Sequence, residues 1–123
     1  MLKLGTCLYN FIWSNPLESA IRRAAALGFR AVEIMATAPQ MDVRQFDSAQ
    51  LNMLLQVVDE TGVEIVSLNP TFIDLNLASR NDTFRRESVN EIKACIDVAA
   101  LVNARIVVVG PGRPTHSSSI LLT

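Results

Sequence analysis

The chain has 123 residues, half of them hydrophobic and 19% charged, which suffices for one domain with its own core but not for two. Eleven basic and 12 acidic residues are mixed along its length for a net charge of −1, so no basic stripe exists to neutralise phosphates and nucleic acid is excluded as a main partner. No apolar run approaches a bilayer span, and the chain is expected to enter its first strand directly, without a signal peptide.

Cys7 and Cys95 lie far apart in apolar stretches. They read as buried free thiols rather than as a disulfide or metal pair, which fits a reducing cytoplasm.

Residues 2–8 are the first predicted strand, closing in a loop that carries Tyr9, Asn10 and Trp13. Asn15 as helix cap, Pro16 at the first helical position and Glu18 three residues after the cap make a capping-box pattern. Leu17, Ala20, Ile21 and Ala24 then follow the spacing of one buried helix face, and Gly28 stops the helix. The unit repeats. Residues 30–36 are a second strand with one acid, Glu33, followed by a polar loop from Thr37 to Asp47. Asp47 and Gln50 suggest another capping box, with Leu51, Leu54, Leu55 and Val58 as the buried stripe and Gly62 as the stop.

The third strand begins at Val63, runs through the apolar residues 65–68 and halts at Asn69, where Pro70 has no N–H for the ladder. A polar loop with Thr71, Asp74, Asn76 and Ser79 comes next. Residues 80–83 offer caps for a third helix, with Val89, Ile92, Ile96 and Ala99 as its stripe and Asn103 as its stop. Residues 105–109 are the fourth strand, ending in Gly110, Pro111 and Gly112.

Four strands alternating with three helices predict right-handed crossovers and a parallel sheet. The runs 65–68 and 106–109 lack polar alternation, as expected for strands covered on both faces. The segment after His116 is too short for a convincing fourth helix, so residues 1–116 read as part of a larger object and 117–123 as an irregular tail.

Three segments carry a resemblance: Leu27-Gly28-Phe29 leading to Glu33-Ile34, the loop with Asp74, Asn76 and Ser79, and the Val109-Gly110-Pro111-Gly112 ending. Together they resemble the xylose-isomerase-like TIM-barrel superfamily, which includes sugar-phosphate isomerases and epimerases and an endonuclease IV branch. The resemblance implies an α/β fold, a (β/α)₈ barrel of roughly 250 residues truncated here to its first four strands and three helices. It implies a small sugar or sugar-phosphate substrate and a divalent cation (Mn, Mg, Co or Zn) in the full-length family. The cation's Glu, Asp and His ligands come mainly from strands five to eight, so none is expected for this fragment, which would be inactive alone. The chemistry implied is proton transfer beside a sugar carbonyl. An endonuclease IV-like protein would place histidines where Asn69 and Gly110 stand, and neither can replace an imidazole on zinc.

Four residues are candidate substrate contacts: Glu33, Asn69, Asn76 and His116. Glu33 is an acid in an apolar strand and reads either as a salt-bridge partner or as a substrate contact. Asn69 either donates to a sugar hydroxyl or closes the turn before Pro70. Asp74 and Asn76 are turn-formers as readily as ligand groups, and His116, the only imidazole, is a loop residue after strand four. Tyr9 and Trp13 can floor a sugar pocket or cover the helix–strand seam. Gly110-Pro111-Gly112 lacks the third glycine of a dinucleotide fingerprint, which disfavours a small nucleotide-binding domain. The alternative from another class is a non-catalytic α/β module that self-associates through its open sheet edges, a homo-oligomer of two half-barrels.

Overall fold

Short apolar runs alternating with amphipathic helices have few ways to hide both, and strands side by side with helices against one face is the commonest. The computed structural model describes residues 2–14, 16–70 and 74–113. In chain order these form β1 (Gly5–Cys7), a 3₁₀ turn (Leu8–Phe11), α1 (Leu17–Ala26), β2 (Ala31–Met35), α2 (Ser48–Thr61), β3 (Glu64–Asn69), α3 (Asp82–Leu101) and β4 (Ile106–Val107). The strands pair in the order β1-β2-β3-β4, every neighbour parallel, as the helical crossovers require.

The helix ends agree with the predicted stops. Gly62 caps α2 in the left-handed region (φ 66°), and Asn103 does the same after α3 (φ 59°). At the other end of α2, Asp47 accepts from the Gln50 N–H (2.8 Å) while the Gln50 side chain accepts from the Asp47 N–H (3.0 Å), which is the predicted capping box. Helix α1 departs by one position. It starts at Leu17 with Pro16 at the cap, and Asn15 lies outside the described residues.

Between sheet and helices lies one core, with Val32, Ile34, Ile65 and Leu68 packed with Ile21, Ala24, Leu54, Val57, Cys95 and Val98. Fully burying each larger aliphatic side chain contributes about 1.5–3 kcal/mol. The predicted stripe of α1 is the buried one. In α2, Val57 is buried and Leu55 is 38% exposed, the reverse of the expectation. In α3 the core face is Ser88, Ile92, Cys95, Val98 and Ala99, whereas Val89 and Ile96 face out. The reason is Ser88. Its hydroxyl donates to the Phe84 carbonyl (2.8 Å) and accepts from the Asn76 N–H (2.9 Å), so a satisfied polar group occupies a core position that apolar counting assigns to Val89.

Three further expectations are corrected. Strand β1 is shorter than residues 2–8, with Leu2 and Leu4 exposed and Leu8 already in the 3₁₀ turn. The fourth strand pairs only through Ile106 and Val107, and Ile106 and Val109 are exposed, so residues 106–109 are not covered on both faces. Cys95 is buried, but Cys7 is half-buried and its neighbours include a carboxylate. Among the described residues no helix is long and apolar enough to cross a membrane.

Candidate functional site

Parallel α/β sheets offer ligands the carboxyl ends of their strands, so the site is sought where β1, β2 and β3 stop. Register decides which side chains meet there. Val32 pairs with Ile65, but Glu33 pairs with Ser67, so Val66 is an extra residue in β3. Such a bulge re-aims the side chains beyond it. Past it, Ser67 lies opposite Glu33, Asn69 lies opposite Met35, and Cys7 of β1 lies opposite Glu33 from the other side. Without the extra residue, Glu33 would face Val66.

The outcome is a carboxylate held by uncharged donors. Ser67 Oγ donates to Glu33 Oε2 (2.7 Å) and Asn69 Nδ2 donates to Glu33 Oε1 (2.9 Å). Burial alone would raise the Glu33 pKa, but the donors Asn69, Ser67 and Cys7 outweigh it and hold the carboxyl below its ordinary value. The Cys7 thiol is shifted the other way, first by burial and further by Glu33 itself, and therefore stays protonated. Among the described residues Glu33 has no lysine or arginine partner, so the salt-bridge reading is replaced by a hydroxyl–amide cradle.

Asn69 is only half used. Its Oδ1 is buried and has no hydrogen-bond partner among the described residues. The flip that would hide this is chemically closed, since a carboxylate only accepts and the NH₂ of Asn69 must face Glu33.

One seam away, a second amide behaves differently. Gln40 is 6% exposed, and its Oε1 accepts from the Met35 N–H (3.0 Å) while its Nε2 donates to the Leu8 carbonyl (3.0 Å). Beyond the Cys7–Glu33 pair the chain leaves β1 for the 3₁₀ turn, so Met35 and Leu8 lose direct ladder partners. The side-chain amide of Gln40 stands in for the missing peptide group.

Of the four predicted contacts, the structure brings Glu33 and Asn69 together. Asn76 lies elsewhere. Its Oδ1 accepts from the N–H groups of Ala78 (3.1 Å) and Arg113 (3.2 Å), and its Nδ2 donates to the Arg113 carbonyl (2.8 Å). It thus ties the loop after β3 to the segment after β4, where Gly112 (φ 77°) packs so closely on Asn76 that no side chain fits. With Asp74 and Ser79 it lines an open cleft of about 810 Å³ against α3, across which Arg44 reaches Glu91 (2.6 Å). His116 lies outside the described residues. Tyr9 and Trp13 are exposed at the mouth after β1 and do not cover the helix–strand seam.

Sequence reasoning missed Ser67, Cys7 and Gln40. Ser67 was findable, since residues two apart on a strand share a face and Asn69 is a candidate on its own chemistry. Gln40 left no signal, because its role depends on where the 3₁₀ turn leaves the ladder.

Residues 21–120 match the family model of the xylose isomerase-like TIM barrel. The chain belongs to that family. Among solved structures it is similar to D-psicose 3-epimerase crystallised in the presence of D-fructose, with TM-score 0.69 and 16% identity over 95% of this chain and 43% of that one. It is also similar to a xylose isomerase-like TIM-barrel protein from Mycobacterium smegmatis in complex with magnesium, with TM-score 0.63 and 15% identity over 87% of this chain and 39% of that one. At these identities the likeness is one of fold: four parallel strands and three helices of a TIM barrel, spanning less than half of each neighbour's length. Among curated proteins no sequence matches.

Proposed function

We propose that these four strands and three helices supply the substrate-positioning wall of a sugar isomerase or epimerase, with Glu33 and Asn69 binding sugar hydroxyls. The observation that carries this is the Glu33 cradle, a carboxylate midway along β2 and level with the carboxyl end of β1. Ser67 and Asn69 hold it ionised, and an unused acceptor lies beside it. An ionised carboxylate accepting from a hydroxyl is among the stronger neutral–charged hydrogen bonds, and it fixes the direction of the donor. The family and the epimerase neighbour support the sugar class.

The magnesium-bound neighbour and the family support a divalent cation for a whole barrel. The described residues do not supply its ligands. No three His, Cys, Asp or Glu side chains cluster among them. Glu33 and Asn69 therefore bind and orient, and no step is assigned to a metal on this chain. On the grounds of its two free thiols we place the protein in the cytoplasm.

The test is a chimera in which this chain replaces the matching part of the D-psicose 3-epimerase neighbour. Glu33→Gln in that chimera should raise the KM for D-fructose about tenfold while changing kcat less, as loss of a charged hydrogen bond does. The 123-residue chain alone, with magnesium, should convert D-fructose only at the background rate. A chimera that epimerises with an unchanged KM in the variant, or turnover by the isolated chain, would overturn the reading.

A further inference from the structure

The cradle also carries information about which part of a sugar it can take. A carboxylate accepts only, so the Ser67 hydroxyl and one Asn69 N–H are committed to Glu33, while the Cys7 thiol donates to the Met35 sulfur (3.7 Å). What the site still offers is chiefly acceptor capacity, against one spare Asn69 N–H: the remaining lone pairs of Glu33 and Asn69 Oδ1, which is buried and has no partner among the described residues. Among the described residues no lysine or arginine is paired with Glu33; Lys3 and Arg105 meet Glu64, and Arg44 meets Glu91.

We propose that the ends of β2 and β3 select an uncharged, hydroxyl-bearing portion of the sugar and turn away a phosphate group, Glu33 and Asn69 Oδ1 each accepting from a hydroxyl. This rests on the sugar reading above and narrows it. Hydroxyls bring the donors that these two acceptors lack. A phosphate brings acceptors to a place that already has too many, and adds its charge to that of Glu33. A phosphorylated substrate would have to carry its phosphate away from this wall, and an unphosphorylated ketose fits without that constraint.

The experiment tracks the Asn69 side-chain NH₂ and Glu33 carboxyl signals of the labelled chain by NMR during titration with D-fructose, D-fructose 6-phosphate and inorganic phosphate. D-Fructose should move both signals saturably, and inorganic phosphate at equal concentration should move neither. Glu33→Gln should weaken D-fructose about tenfold, the loss expected for one charged hydrogen bond. If inorganic phosphate moves both signals and competes with D-fructose, the inference fails and the sugar reading stands. If no sugar of either kind moves them, both fail together.

Discussion

Two amides sit at neighbouring seams of the same sheet, and their hydrogen-bond balances differ. At the β1–β2 seam, Gln40 accepts one main-chain bond at Oε1 and donates another from Nε2, so each of its polar atoms has a partner. At the β2–β3 seam, Asn69 donates to Glu33 and leaves Oδ1 buried without a partner among the described residues. The first closes a gap in the backbone ladder, and the second leaves a spare acceptor on the face where barrel strands end. A buried amide with both polar atoms partnered reads as structure; one with an atom left unpartnered reads as a place for a ligand. The two seams should therefore fail in different ways when their amides are removed.

The largest effect is expected at Gln40. Gln40→Leu keeps the bulk but strands the Met35 N–H and the Leu8 carbonyl, each costing about 1–3 kcal/mol when buried without a partner, so about 2–6 kcal/mol in all. Urea unfolding should show the loss as a lower midpoint at unchanged slope. A change below about 0.5 kcal/mol would mean that water or a backbone shift replaces the amide, and the contrast between the seams would dissolve.

Asn69→Leu is the sharper comparison. It removes one donor from Glu33, which keeps Ser67, and it removes an acceptor that had no partner to strand among the described residues. The expected cost is about 1.5–3 kcal/mol, in the lower part of the Gln40 range, because only one bond to a charged group is lost. The Glu33 carboxyl should titrate at higher pH in this variant, read from its carbon signal. Equal destabilisation by Asn69→Leu and Gln40→Leu would place both amides in the same structural role.

How much of this was legible in the residues differs between the layers of the molecule. Helix stops at Gly62 and Asn103, the Asp47–Gln50 capping box and the parallel order arise from short-range chemistry written in a few adjacent positions. Glu33 and Asn69 were visible as polar residues out of place in apolar runs. Their meeting was not, because it depends on the extra Val66 that shifts β3 against β2, and an extra residue in a pairing has no signature in one strand read alone. The rotation of α3 failed for a related reason. Ser88 holds its core position through bonds to Phe84 and Asn76, and the second of these crosses from a loop that no periodicity describes.

The smallest predicted effect isolates Glu33 through pH. Its carboxyl is held below the ordinary value of 4.5, after burial, by Asn69, Ser67 and Cys7, so folding favours the ionised form. A depressed carboxyl pKa contributes stability that is present above the unfolded value and is lost as pH falls through the folded one. Glu33→Gln has no such contribution to lose. The stability difference between the parent chain and Glu33→Gln should therefore shrink as pH is lowered from 7 to below 4.5, the parent losing more over that interval. Glu60 and Glu64 are also held low, by Gln56 and Lys3 respectively among their partners, but they are common to both proteins and cancel in the difference. A difference that stays constant across the interval would show Glu33 titrating as it does in the unfolded chain. The cradle would then be too weakly coupled to orient a sugar hydroxyl, while the seam closed by Gln40 would stand as before.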